Sequence, residues 1–216
     1  MLNHINIVSC AGVHLKSEPQ FILLEIMRDD LKSYLKKTPP SIFTDQELVN
    51  SVAQIASAMT YLSKKRIVHR DLAARNVLVG FEGLRVVKLN DFGLSRTLSS
   101  SDYYRKVSSD KIPVKWMAPE SVLERKYSSA CDVWSFGVLC WEVFEQGRTP
   151  YPGVPIENVM NFLLRGNRMA KPHACPETVY QMMLQCWQME AAARPTFGSL
   201  LQLLGEFSDD DSGTRL

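Results

Sequence analysis

Apolar residues at Leu48, Val52, Ile55, Met59 and Leu62 recur at three- and four-residue steps, which places them on one face of a helix. Thr44-Asp45-Gln46-Glu47 stands just before them as a capping box, a reciprocal pairing of side chains with first-turn N–H groups. Upstream, Ile5 to Val13 and Phe21 to Leu24 read as two short strands around the polar turn Lys16-Ser17-Glu18-Pro19. Leu31 to Lys37 reads as a short helix stopped by Pro39-Pro40. Downstream, Val77-Leu78-Val79 and Val86-Val87-Lys88-Leu89 predict a small hairpin, followed by a polar loop to about Pro119. The remainder predicts helices over 131–145, 156–166, 177–187 and 196–207. The tail from Ser208 is polar and acidic and is expected to be disordered.

The chain has 216 residues, 45% of them hydrophobic, enough for one sizeable domain. A net charge of +2 argues against a large nucleic-acid surface. The longest apolar run, Val133 to Phe144, is interrupted by Ser135, Gly137 and Glu142 and is too short to span a bilayer. Asn3, His4 and Asn6 break any signal-peptide core. The five cysteines lack metal-ligand spacing, which favours reduced, buried thiols in an intracellular setting.

Between the long helix and the hairpin lies His69-Arg70-Asp71-Leu72-Ala73-Ala74-Arg75-Asn76. It sets a carboxylate, two guanidiniums and a carboxamide in one loop. Phosphoryl transfer needs such a set: a proton acceptor, a metal ligand and a positive charge beside the transferring group. Asp91-Phe92-Gly93 follows, then Pro119-Glu120 and Asp132-Val133-Trp134-Ser135-Phe136-Gly137. DFG alone is commonplace. The ordered series resembles the catalytic, metal and substrate segments of protein kinases, from about Leu2 to about Phe207.

The resemblance is to the tyrosine-kinase branch. Serine/threonine kinases usually carry Lys two residues after the catalytic Asp; here that position is Ala73, and the positive charge is at Arg75. Ile112-Pro113-Val114-Lys115-Trp116-Met117-Ala118-Pro119-Glu120 resembles the shelf on which a substrate tyrosine lies. Asp102-Tyr103-Tyr104-Arg105-Lys106 and Pro150-Tyr151-Pro152-Gly153-Val154 are similar to receptor-type kinases of the Axl/Mer, anaplastic-lymphoma-kinase and ROS types.

The resemblance implies an α+β protein-kinase-like fold, mainly an α-helical large lobe with only the last part of the small β lobe. It divides the chain into a small-lobe remnant and hinge (1–27), the large lobe (28–207) and a tail (208–216). It implies that Asp71 takes the tyrosine hydroxyl proton, with Arg75 near the γ-phosphate. Asn76 and Asp91 would hold Mg2+ beside ATP, oxygen ligands suiting a hard cation. The Glu25 carbonyl and Met27 backbone would meet the adenine edge, Leu78 its floor, and Leu24 would be the gatekeeper. Asn90 is larger than the residue usual before the metal Asp. His69 and Phe92 would be packing residues, Asp132 a backbone anchor, and Glu120 with Arg194 a buried ion pair. Tyr103 and Tyr104 are the implied phosphorylation sites, with Arg70 and Arg96 as phosphate partners.

Three family parts do not occur in the sequence: the Gly-rich loop, the strand Lys and the helix Glu. The chain therefore reads as N-terminally truncated and inactive by itself. The alternative is a non-catalytic interaction or dominant-negative module. The expected partners are proteins bearing tyrosine, on the cytoplasmic side of a membrane. Thr214-Arg215-Leu216 also fits capture by a PDZ-type groove.

Overall fold

Helix α4 (Ser129–Phe144) is the hub of the molecule: every residue from Cys131 to Phe144 is buried, Asp132, Ser135 and Glu142 included. A helix buried on all sides must be packed on all sides. In this computed structural model, which describes residues 2–98, 104–105 and 113–210, α4 contacts α1 (Leu31–Lys37), α2 (Asp45–Lys64) and α6 (Glu177–Cys186). α3 (Pro119–Leu123) and α5 (Val159–Leu164) flank it in sequence, and α7 (Phe197–Asp210) packs on α2.

The approach of α6 to α4 requires Gly137. A Cβ there would lie 2.7 Å from Trp187 Nε1 and 2.8 Å from Cys186 Cβ. α2 has the predicted capping box: Thr44 Oγ1 accepts from the Glu47 N–H and Glu47 Oε2 from the Thr44 N–H, each at 3.1 Å.

A three-stranded antiparallel sheet, in the order β3 (Asp29–Asp30), β5 (Val77–Gly80), β6 (Gly83–Leu89), lies beside α2. The predicted hairpin is its β5–β6 pair, with Val77 opposite Leu89, so the end of β6 delivers Asn90 and Asp91. Gln54 of α2 fixes β6 in height. Its Oε1 accepts from Val87 N and Asn6 Nδ2, both at 3.0 Å, and its Nε2 donates to Leu84 O at 3.1 Å.

That network corrects the expected strand Ile5–Val13. Asn6 and Val8 are drawn to Leu89 instead (Leu89 N–H to Asn6 O, 2.8 Å; Val8 N–H to Leu89 O, 2.9 Å). β1 therefore begins only at Cys10 (Cys10–His14) and pairs antiparallel with β2 (Phe21–Leu24). This ribbon is poorly covered: Ile22 is 64% and Leu24 44% exposed.

Other boundaries also differ. Residues 156–166 hold a 3-10 turn (Ile156–Asn158) before the shorter α5, and Gly166 ends it with φ +83°. The presumed loop before Pro119 contains β7 (Arg96–Thr97), paired with β4 (Ile67–Val68), and β8 (Tyr104–Arg105), paired with β9 (Lys126–Tyr127). α7 continues past Ser208 to Asp210, correcting the expected start of the disordered tail: a helix seated by buried Leu200 and Leu204 extends at small cost per residue. Thr214-Arg215-Leu216 and Tyr103 lie outside the described residues. Cys131, Cys140, Cys175 and Cys186 are buried free thiols, and Cys10 is half-buried.

Gly137→Ala should lower stability by about 1–3 kcal/mol, the usual cost of overpacking a close contact. Urea denaturation of the two chains measures it, and an unchanged midpoint would mean that α6 can retreat from α4 freely.

Candidate functional site

The loop after β4 carries unusual backbone geometry. Arg70 has φ +72°, a left-handed conformation that a non-glycine residue adopts only when its surroundings enforce it. Here Asp132, in the first turn of α4, enforces it. Its Oδ2 accepts from the His69 N–H at 2.7 Å and its Oδ1 from the Arg70 N–H at 2.9 Å. Burial pushes the Asp132 carboxyl up to about 7, against the opposing pull of those two N–H groups and the Arg70 charge.

His69 is fully buried. Its Nε2–H donates to Asn90 O at 3.1 Å, leaving Nδ1 to accept the Asp71 N–H at 3.3 Å. Burial pushes its pKa down, so the ring is neutral and both nitrogens are in use. Phe92 meets it edge-on, with centroids 5.2 Å apart. The two rings pack against each other.

The next turn of backbone gathers the polar groups. Arg75 forms an ion pair with Asp71 Oδ1, and Asn76 Nδ2 donates to both Asp71 Oδ2 and Asp71 O at 2.7 Å. Because the Asn76 nitrogen is committed to Asp71, its carbonyl oxygen is the atom left for a ligand. Asp91 is exposed, has φ +58°, and accepts the Gly93 N–H on Oδ1 at 3.1 Å. A cavity of about 580 Å³ lies between Ile22 and Leu24 on one wall and Asn76, Asn90, Asp91 and Phe92 on the other.

Glu25, Met27 and Leu78 do not line that cavity. The Glu25 carboxylate turns away to Lys88 Nζ (2.7 and 2.9 Å) and to the Ser9 N–H (2.6 Å) and hydroxyl (2.7 Å). Burial alone would raise it, but Lys88 and Ser9 hold it below the ordinary glutamate value. The Glu25 and Arg28 N–H groups are bonded to Ser9 O and Val79 O.

One functional contact escaped the sequence. Glu142, far along α4, accepts on Oε2 from the Ala74 N–H (2.9 Å) and from Trp116 Nε1–H (2.8 Å), joining the loop after β4 to the turn at Val114–Trp116. Burial raises its pKa. The available signal was an acid inside an otherwise apolar run, which must be paired. The Arg75 guanidinium lies 4.6 Å from the centre of the Trp116 ring, so Trp116 touches both elements.

Glu120 and Arg194 meet: Nη1 to Oε1 is 2.7 Å and Nη2 to Oε2 is 2.8 Å. Carbonyls of Gln188, Ala130 and Met189 take the other guanidinium N–H groups. Burial would raise Glu120, but Arg194 outweighs it and holds the carboxyl low. Arg70, an expected phosphate partner, is buried, donates to Leu94 O at 3.1 Å and lies 4.4 Å above the Tyr127 ring. Arg96 is exposed and donates to Ser95 O. Tyr104 is described only by its backbone pairing with Tyr127.

A family model described as protein tyrosine and serine/threonine kinase matches residues 1–204. The leukocyte tyrosine kinase receptor of Mus musculus is 43% identical over 215 residues, covering 96% of this chain and 24% of that protein. The chain thus spans less than a quarter of the length of this curated relative.

Arg194→Met should cost about 3–5 kcal/mol, since it leaves Glu120 buried without its partner. Chemical unfolding measures the loss, and a loss below about 1 kcal/mol would put the pair among surface bridges. The pH dependence has two limbs. Glu120, shifted down, contributes stability that is present above the ordinary glutamate range and lost as pH falls through it. Asp132 and Glu142, shifted up, favour the fold most at low pH, and that contribution is lost as pH rises through about 7 for Asp132. Glu142→Gln should therefore flatten the decline of unfolding free energy as pH rises above the ordinary glutamate range.

Proposed function

Because the chain belongs to the protein tyrosine and serine/threonine kinase family, we propose that it is the catalytic large lobe of a receptor-type tyrosine kinase, transferring the ATP γ-phosphoryl to tyrosine hydroxyls of proteins. The observation that carries this is the convergence of Asp71, Arg75 and Asn76 through direct bonds, beside a cavity that Asn76 and Asp91 line. Ala73 in place of Lys, with Arg75 two residues on, favours tyrosine as acceptor. The name of the mouse relative points the same way.

In this reading Asp71 accepts the acceptor hydroxyl proton. Arg75 holds Asp71 in place and brings positive charge to the phosphoryl side, while its stacking on Trp116 keeps it near the shelf. Two oxygen donors, the Asn76 carbonyl and the Asp91 carboxylate, fit magnesium, which takes few protein ligands and keeps its waters. Bound there, the ion would neutralise phosphate charge. Glu25 and Met27 would present backbone groups to adenine above Leu78. Tyr103 and Tyr104 would be the regulatory phosphorylation sites. The division into hinge segment, large lobe and tail stands as part of the same proposal. ATP chemistry places the work on the cytoplasmic side; among the described residues no helix is long and apolar enough to cross a membrane.

None of the 216 residues forms a G-x-G-x-x-G loop over the phosphates. The chain by itself should therefore bind ATP through its floor alone and turn over negligibly. Calorimetry with ATP and magnesium on the chain and on Asp91→Asn tests the site. Weak binding further weakened in the variant supports it, whereas equal binding would move the metal elsewhere. No binding by a well-folded chain would favour the interaction-module alternative, for which the exposed β1–β2 ribbon offers a surface.

A further inference from the structure

Tyr151 has φ +52°, a left-handed conformation that a bulky aromatic residue adopts only when its surroundings impose it. Its N–H donates to Met169 Sδ at 3.3 Å, and the preceding carbonyl, Pro150 O, accepts from Lys115 Nζ at 3.0 Å. The loop so held encloses, with the last turn of α4, a cavity of about 280 Å³. It shares no lining residue with the cavity beside Asn76 and Asp91. Three aromatic rings, those of Trp141, Tyr151 and Phe162, form much of its wall. The Trp141 indole is fixed by its Nε1–H, which donates to Ala170 O at 3.0 Å. Phe162 meets Tyr151 edge-on, with centroids 6.0 Å apart.

The same lining carries three cations, Arg148, Arg168 and Lys171, against one carboxylate, Glu145. Arg168 is half-buried, and its hydrogen bonds all go to neutral carbonyls, those of Leu163, Asn167 and Trp187. Among the described residues no carboxylate pairs with it. Its charge therefore keeps its Coulomb attraction for an incoming anion. The other two cations have partners that they can exchange. Arg148 lies 3.4 Å from Glu145 and Lys171 lies 3.5 Å from Glu177, long contacts between partly exposed groups. Surface pairs of this kind contribute little, so trading them for a ligand carboxylate costs little. Lys171 also donates to Cys175 O at 3.1 Å, which leaves an ammonium with further donors to give.

We propose that this cavity is a second binding site of the chain and takes an aromatic carboxylate, with its ring against Trp141, Tyr151 and Phe162 and its acid against Arg148 and Lys171. Aromatic walls receive a further ring edge-to-face or offset. A cationic mouth above low-dielectric walls concentrates anions. The volume is at the small end for ligand sites and suits one ring bearing an acid. A free small acid offers this chemistry, and so does a glutamate beside a phenylalanine in another protein. The inference stands on this lining and is independent of the kinase reading.

The test titrates the full chain with phenylacetate and with phenylacetamide, its uncharged counterpart. Binding is followed by the indole N–H signal of Trp141 in isotope-labelled protein, assigned by triple-resonance spectra. Phenylacetate should bind about threefold to tenfold tighter than the amide, and added salt should narrow the difference. The double variant Arg148→Gln, Lys171→Gln changes only exposed side chains and should narrow it as well. Equal binding of the two probes, a preference unchanged in the double variant, or no shift at Trp141 overturns the inference. A short peptide with glutamate beside phenylalanine that binds tighter than phenylacetate assigns the site to a protein segment; weaker binding by the peptide assigns it to a small acid.

Discussion

Two successive backbone N–H groups, those of His69 and Arg70, end on one buried carboxylate, and the geometry of the site depends on that contact. Loop backbone in a protein interior has no ladder to satisfy it and must borrow acceptors. Asp132 supplies two from the first turn of α4, and the left-handed Arg70 is the conformation that points both N–H groups at it. With the loop pinned there, Asp71 comes within reach of Arg75 and Asn76, and His69 within reach of Asn90. About three turns on, Glu142 repeats the arrangement for Ala74 and Trp116. One helix thus holds both ends of the loop from His69 to Ala74 and the turn that carries Trp116.

The arrangement has an energetic cost. Burial works against both α4 carboxylates, and their hydrogen bonds return only part of it. Arg70 and Asp91 are held in left-handed conformations without being glycine. Strain concentrated at functional loops is common where the surroundings over-determine the backbone. Here those surroundings are the fully buried α4, the α2 contacts of Gln54 and the bidentate Glu120–Arg194 pair.

Much of this was legible in the sequence, for identifiable reasons. The α2 prediction succeeded because period and capping box agree, and both are local properties. The family was legible because the order of its segments along the chain is itself the signal, and the family model matches residues 1–204. Short pairings such as Ile67–Val68 with Arg96–Thr97 were not, since two-residue strands are defined only by the partner that tertiary structure brings up. Ile5 to Ser9 looked like strand by composition, yet Asn6 and Val8 follow Leu89 and Gln54 instead. Glu142 left only an indirect trace, a charge in an apolar run, and its two partners lie 68 and 26 residues away.

The two walls of the cavity are held by different physics. Asn76, Asn90 and Asp91 sit on backbone anchored to β6, His69 and, through the loop, α4. Ile22 and Leu24 sit on a ribbon with almost no buried face, tied to β6 by the bridge from Glu25 to Lys88 and Ser9. That bridge is partly exposed, so salt screens it more than it screens the buried pair at Arg194. Lys88 also lies only two residues before Asn90. The bridge that positions the apolar wall is therefore attached to the strand that presents the polar one, and any shift of Glu25 alters the width of the cavity against a floor that stays fixed.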